Sequence, residues 1–216
     1  MFEHRLIQRW INGPVRFLFL ALMFVAGTVQ AKEPPVLVVL GDSLSAGYGL
    51  AAQNAFPQKL QRHLTSLGMD VRVENAGVSG DTTADGLARL DWSVGPNADA
   101  VIIELGANDG LRGLHPEHAY ANLDAILKHF QLRKLPVMLA GMRAPRNLGD
   151  EYTSAFDGIY PRLAQKYNVP LYPFFLEGVV NDPKLNQPDM LHPTAEGIDV
   201  IVRNIAPQVV EFLNSL

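Results

Sequence analysis

The chain of 216 residues contains no cysteine. This absence excludes a thiol nucleophile, a metal site with thiolate ligands, a disulfide framework and a lipid anchor attached to cysteine. Basic clusters are also missing, since 18 Lys and Arg residues face 22 Asp and Glu residues for a formal net charge of −4. Nucleic-acid binding needs clustered positive charge, so we expect no nucleic-acid partner.

Long apolar runs are scarce as well, and the main one lies near the N-terminus at residues 17–26. Arg5, Arg9 and Arg16 precede this run, and Val29-Gln30-Ala31 follows it as a small-x-small pattern. A membrane-spanning helix needs about 20 apolar residues, which is longer than this segment. The pattern predicts a signal peptide over residues 1–31, export to the periplasm or the medium, and no membrane span after cleavage. The alternative is that the segment stays uncleaved as an anchor.

Residues 32–216 have the length of one domain and show no repeat or linker, and we expect them to form a monomer. Strand-like apolar runs alternate with segments of helical spacing, and the last of these contains Pro207, where a kink or break is expected. Alternation of this kind predicts a parallel sheet covered by helices. The strand-like runs are residues 36–41, 70–75, 99–105, 136–141 and 169–172.

Polar segments follow three of these runs, and a fourth lies near the C-terminus. The four segments are residues 41–45 (Gly-Asp-Ser-Leu-Ser), 75–83, 106–110 (Gly-Ala-Asn-Asp-Gly) and 189–193 (Asp-Met-Leu-His-Pro). Doubly wound sheets build their sites at the carboxyl ends of strands, where these segments lie. Ser43 is the candidate nucleophile, His192 the candidate base and Asp189 the group that orients the imidazole. Each has a plainer interpretation, such as a helix cap for Ser43 or a surface pair for Asp189 and His192.

The four segments together resemble the SGNH (GDSL) hydrolase superfamily, and within it the bacterial thioesterase I, lysophospholipase L1 and arylesterase branch. The resemblance extends from Val36 almost to the C-terminus. It implies a flavodoxin-like three-layer α/β/α sandwich whose five-stranded parallel sheet has the order 2-1-3-4-5. It also implies a serine hydrolase whose oxyanion hole is formed by the backbone N–H groups of Ser43 and Gly80 and by the side-chain amide of Asn108. Gly77 is the alternative to Gly80.

Substrate contacts are expected from two loops. Leu111, Gly113 and Leu114 follow the Asn108 segment, where the resembling branch has a loop associated with closing over the acyl chain. Ala144 and Pro145 follow the fourth strand. Ala107 stands where that branch usually has Gly, and Ala144 where it often has Leu, which puts a preference for long acyl chains in doubt.

The sequence therefore predicts an exported serine esterase, without cofactor or metal, that acts on aryl and short- to medium-chain acyl esters. Acyl thioesters and lysophospholipids are further candidate substrates. Two alternatives stay open. One is a carbohydrate or peptidoglycan O-acetylesterase using the same residues, and the other is a noncatalytic exported binding protein that holds an anion at the Ser43 loop.

Overall fold

The structure is a computed structural model that describes residues 33–216. Five strands form one parallel sheet in the order β2-β1-β3-β4-β5. This confirms the predicted fold class and strand order. The strands are β1 Val36–Gly41, β2 Arg72–Gly77, β3 Ala100–Glu104, β4 Val137–Ala140 and β5 Leu171–Tyr172.

Helices connect these strands and cover the sheet. They are α1 Ser43–Ala46, α2 Phe56–Ser66, α3 Thr83–Ala88, α4 Leu90–Ser93, α5 Ala107–Leu111, α6 Pro116–Leu132, α7 Asp150–Asp157, α8 Ile159–Tyr167 and α9 Ala195–Asn214. Short 3₁₀ helices span Ala52–Asn54 and Arg146–Leu148. The chain winds from β1 to β2 in one direction and from β3 to β5 in the other. Right-handed crossovers therefore place α2 and the α6–α8 helices on opposite faces of the sheet.

The core follows from the composition of the central strands. Every residue of β1, β3 and β4 is buried, as expected for central strands that are covered on both faces. The edge strand β2 is mixed, with Val73 buried and Arg72 exposed. In α6, Leu123, Ile126, Leu127 and Phe130 recur at helical spacing and are all buried against this core.

The strand order reverses between β1 and β3, so the segments that follow these two strands meet at one edge of the sheet. Gly41 at the end of β1 is in register with Gly77 of β2 and with Glu104 of β3. Ser43 and Asn108 lie just beyond these ends. This is the switch point at which open α/β sheets bind their ligands.

The prediction for Pro207 is corrected in part, because α9 continues through this residue without a break. Pro207 is exposed, whereas Ile205, Ala206 and Val209 around it are buried. Proline has no N–H to donate to the carbonyl group four residues earlier, at Arg203. Arg203 is exposed, so water can bind this carbonyl group, which lowers the cost of keeping the helix intact.

The predicted signal peptide at residues 1–31 lies outside the described residues. Within residues 33–216, no helix combines the length and the hydropathy that a bilayer crossing requires.

Candidate active site

A tight turn between β1 and α1 presents Ser43. Asp42 caps α1, and its Oδ1 accepts the Leu44 N–H at 2.9 Å. A Cβ atom on Gly41 would lie 2.3 Å from Ser45 Oγ and 2.6 Å from Glu104 Oε2, so only glycine fits at this position. Ser43 itself is 8% exposed and is the first residue of the helix.

His192 and Asp189 reach this turn from a loop between β5 and α9. His192 Nε2 lies 3.0 Å from Ser43 Oγ, and His192 Nδ1 lies 2.7 Å from Asp189 Oδ2. The structure thus brings together the three residues predicted for the triad, although they are up to 149 positions apart.

Asp189 is held by its own loop. Its Oδ1 accepts the N–H groups of Leu191 and His192 at 2.9 and 3.0 Å, and the intervening Met190, directly after Asp189, adopts a left-handed conformation with φ of 60°. Hydrogen bonds from the His192 side chain, and then from these backbone groups, lower the pKa of Asp189 to about 2. The carboxylate is therefore ionised at neutral pH and can accept a proton carried on His192 Nδ1.

The backbone donors predicted for the oxyanion hole lie on the segments that follow β1 and β2. Within residues 33–216, neither the Ser43 N–H nor the Gly80 N–H has a hydrogen-bond acceptor. Gly80 has φ of +89°, and Arg112 Nη2 donates to its carbonyl oxygen at 2.8 Å. The N–H of the alternative residue, Gly77, instead donates to Asn75 Oδ1 at 2.9 Å. The geometry thus favours Gly80 over Gly77 as a donor to a bound anion.

Asn108 is directed toward the same place. Its Nδ2 donates to the Asp81 carbonyl oxygen at 3.0 Å and to Asp42 Oδ2 at 3.3 Å. These bonds fix the amide between the segment that carries Gly80 and the segment that carries Ser43. The predicted oxyanion donors therefore share one end of the sheet.

A buried arginine that the sequence analysis did not assign supports this arrangement. Arg89 pairs with Asp81, and its guanidinium donates to the carbonyl oxygens of Gly41 at 2.7 Å and Ala76 at 2.8 Å. It thereby fixes the carboxyl ends of β1 and β2. Five N–H donors in one rigid plane suit such bridging better than a lysine would.

Glu104 is a second residue that sequence reasoning missed. It ends the apolar β3 run and is completely buried beneath the turn that carries Ser43. Its Oε2 accepts the Ser45 hydroxyl at 2.6 Å, while its Oε1 has no hydrogen-bond partner among residues 33–216. A charged residue at the end of an otherwise apolar strand is the sequence signal that could have identified a special site here.

Asp42 and Glu104 form a pair of buried acids. Burial raises the pKa of Asp42 to about 7 and the pKa of Glu104 well above its usual range, and the repulsion between the two carboxylates adds to the effect at Glu104. Burial thus favours the protonated forms of both carboxyls.

This pair makes stability dependent on pH. Both carboxyls lose their protons near about pH 4 in the unfolded chain, whereas the folded state holds protons up to about pH 7. The folded state binds more protons across this window, so the free energy of unfolding falls as pH rises through it.

Glu104→Gln removes one of the two acids and the repulsion between them. The melting temperature of the wild type should fall between pH 5 and pH 8, and we expect this fall to be smaller in Glu104→Gln by about 3 °C or more.

Thermal unfolding followed by circular dichroism at several pH values measures this decrease. Glu117→Gln, on the exposed surface of α6, is the matched control and should behave like the wild type. An equal decrease in Glu104→Gln and wild type would show that Glu104 does not hold a proton in the folded state.

The predicted substrate contacts divide into two groups. Leu111 and Leu114 are 47% and 39% exposed at the end of α5, and Gly113 between them has φ of 60°. Ala144 is buried in the core and its N–H donates to Asp157, while Pro145 is half-buried. The α5 loop thus presents apolar side chains to solvent, whereas contact with Ala144 would require its loop to move.

Metal ligation is another interpretation of the acidic residues near Ser43. Within residues 33–216, no group of three or more His, Asp or Glu side chains is arranged to hold a metal ion. Asp109 instead accepts two hydrogen bonds from Thr83, at 2.7 and 2.8 Å.

Comparison with known proteins gives concordant results. Residues 39–200 match the model of the GDSL-like Lipase/Acylhydrolase family. The chain is 41% identical to an arylesterase of Vibrio mimicus, with 92% of this chain and 100% of the relative covered. It is 39% identical to thioesterase 1/protease 1/lysophospholipase L1 of Escherichia coli K12, with 92% of each covered. Among solved structures, the SGNH-hydrolase family esterase AlinE4 shares 49% identity and a TM-score of 0.71, covering 83% of this chain and 97% of that one.

Proposed function

The chain belongs to the GDSL-like lipase/acylhydrolase family and is a carboxylic ester hydrolase, and on that premise we propose that it acts through a Ser43–His192–Asp189 triad and an acyl-enzyme. The observation that supports this most strongly is the hydrogen-bonded series from Ser43 Oγ through the His192 ring to Asp189. At the start of this series, the backbone N–H of Ser43 has no hydrogen-bond acceptor among residues 33–216, and the same is true of the Gly80 N–H.

Acylation begins when Ser43 Oγ attacks the ester carbonyl carbon and gives its proton to His192 Nε2. Asp189, which stays ionised, stabilises the imidazolium that forms. The tetrahedral intermediate then collapses, the bond from carbon to the leaving oxygen or sulfur breaks, and His192 returns the proton to the leaving group. Water then attacks the acyl carbon of the acyl-enzyme and gives a proton to His192. The bond from that carbon to Ser43 Oγ breaks, His192 returns the proton to Oγ, and the acid leaves.

Negative charge that develops on the carbonyl oxygen needs donors that are already in place. We assign this role to the N–H groups of Ser43 and Gly80 and to Asn108 Nδ2. Ser43 lies at the first turn of α1, so its N–H points out of the helix toward a bound anion. Asn108 exchanges one of its two protein acceptors for the oxyanion, and the longer bond, at 3.3 Å to Asp42, is the one we assign to this exchange.

The substrate class that we propose is aryl and short- to medium-chain acyl esters, with acyl thioesters and lysophospholipids as further candidates. The names of the relatives, arylesterase and thioesterase 1/lysophospholipase L1, support this range. The exposed Leu111 and Leu114 beside Asn108 provide apolar surface for an acyl group. Ala144 and Pro145, in the loop after β4, are the other proposed substrate contacts, and contact with Ala144 requires that loop to move.

We also propose that residues 1–31 direct export and are removed. Amino-terminal sequencing of the exported protein tests this proposal.

A series of p-nitrophenyl esters from acetate to palmitate tests the substrate assignment. We expect kcat/KM for the butyrate ester to exceed that for the palmitate ester by about tenfold or more. Burial of a methylene gains about 0.8 kcal/mol, but the exposed Leu111 and Leu114 offer apolar surface for only a short acyl chain, so most of the palmitoyl chain would stay in water. A maximum at palmitate would contradict the proposed range.

The same preparation is assayed on acyl-CoA thioesters and on an acetylated glycan. Hydrolysis of the glycan acetate with little activity on aryl esters would replace this assignment by an O-acetylesterase. Inactivity on every ester and thioester would support the binding-protein alternative instead.

A further inference from the structure

The loop that carries the base has little support from the core. Residues 188–191 are exposed, and the His192 side chain is 20% exposed. Catalysis by the proposed triad nevertheless requires the imidazole to stay within hydrogen-bond reach of Ser43 Oγ. Another contact must therefore hold this loop against the nucleophile turn.

Gln187 provides that contact. Its side-chain Nε2 donates to the Tyr48 carbonyl oxygen at 2.8 Å and to the Pro193 carbonyl oxygen at 3.0 Å. Its backbone N–H donates to the His192 carbonyl oxygen at 2.7 Å. One residue thus closes the His192 loop on itself and joins it to the segment just after α1, 139 positions earlier in the chain.

These connections to the rest of the molecule are few. Among the hydrogen bonds of residues 33–216, two join residues 187–193 to parts of the chain before residue 182. One is the His192–Ser43 bond itself, and the other is the Gln187–Tyr48 bond. The His192–Ser43 bond cannot position itself. The Gln187–Tyr48 bond is therefore the polar contact that can hold His192 in place for it.

Tyr48 completes the contact from the other side. Its ring packs against the imidazole of His192 with the centroids 4.5 Å apart and the planes inclined by 37°. The next residue, Gly49, has φ of +73°, and a Cβ atom there would lie 2.2 Å from Gln187 Oε1. Glycine at this position therefore leaves room for the Gln187 amide to reach Tyr48.

We propose that Gln187 is a positioning residue for the base. Its bond to Tyr48 holds the His192 loop against the segment after α1, so that the imidazole stays between the Tyr48 ring and Ser43 Oγ. The inference rests on the proposed triad, and Gln187 acts through His192 without touching the substrate. A displacement of the base by about 1 Å is enough to cost about 100-fold in rate.

The test measures the rate and the final extent of Ser43 labelling by a fluorophosphonate. Gln187→Met keeps the length and neutrality of the side chain but removes both side-chain donors. We expect it to label to the same final stoichiometry as wild type, about 10- to 100-fold more slowly, with an equal fall in kcat/KM on p-nitrophenyl butyrate. Gln53→Met, at an exposed position in a nearby segment, is the control and should match wild type.

Rate and stoichiometry separate positioning from general stability. If Gln187 only stabilised the fold, part of the Gln187→Met protein would be unfolded and the final stoichiometry of labelling would be lower. The folded remainder would label with the wild-type rate constant, and this result would overturn the proposal. An unchanged rate and stoichiometry would also overturn it. Failure of the wild type to label would instead refute the triad, and the inference with it.

Tyr48 supplies a second, independent variant pair in case Gln187→Met does not fold. The Gln187 bond uses the Tyr48 backbone, so Tyr48→Phe keeps both that bond and the ring and should label within about threefold of wild type. Tyr48→Ala removes the ring and should slow labelling about tenfold or more. Equal labelling rates for the two variants would contradict the role of the ring in confining His192.

Discussion

Replacing Ser43 with Ala should lower ester hydrolysis by about 10⁴-fold or more while leaving the fold intact. The hydroxyl is the only protein group that the proposed mechanism uses as a nucleophile, and the chain contains no thiol that could take its place. The fold should survive because the side chain is small and its described hydrogen-bond partner is His192. Initial rates on p-nitrophenyl butyrate measure the loss, and circular dichroism and melting temperature report on the fold.

Ser66→Ala is the matched control, since Ser66 is exposed at the C-terminal end of α2. It should retain wild-type activity. Activity of Ser43→Ala within tenfold of the control would mean that another residue attacks the ester, and the triad assignment would fail.

Asn108→Ala should lower kcat by about 100- to 1000-fold with little change in KM, the usual result of losing one oxyanion-hole donor. In the proposed mechanism the amide stabilises charge that develops only as the carbonyl is attacked, so its loss should weaken transition-state binding more than substrate binding. Steady-state kinetics on p-nitrophenyl butyrate separates the two parameters.

Asn214→Ala, at the exposed end of α9, controls for a general effect of losing an asparagine. A rise in KM at constant kcat would make Asn108 a substrate-binding residue. A decrease in kcat of less than fivefold would remove it from the oxyanion hole.

Much of the fold and of the candidate site was predictable from the sequence because parallel sheets obey simple rules. Strand-like runs at residues 36–41 and 99–105 lie within one residue of β1 and β3. The carboxyl ends of adjacent parallel strands meet at one edge, so the segments of Ser43 and Asn108 had to be neighbours. The structure also brings His192 and Asp189 to Ser43, while the roles of these residues remain predictions.

The supporting residues were not predictable in the same way, because their roles depend on tertiary contacts. Gln187 is an ordinary polar residue in the sequence, and its bond to Tyr48 spans 139 positions. The bonds of Arg89 to Gly41 and Ala76 arise only once β1 and β2 have paired. Of the kink or break expected at Pro207, the break was wrong, because the cost of a proline in a helix depends on whether it faces water, which helical spacing alone does not show.

Glu104 falls between these two cases. The place of Glu104 at the end of an apolar strand was visible in the sequence, but its hydrogen-bond partner, Ser45, was not. Burial of the carboxyl follows from β3 lying in the centre of the sheet, and the contact with Ser45 follows from the missing side chain at Gly41.

The most direct test of the central claim is to locate a covalent adduct by mass spectrometry. Residues 32–216 are reacted with a fluorophosphonate under native conditions, digested and mapped. The proposed mechanism predicts one adduct per chain, on the peptide containing Ser43, and none after heat denaturation or in the Ser43→Ala variant. An adduct on another residue, or its absence from active wild-type enzyme, would contradict the assignment of Ser43 as the nucleophile.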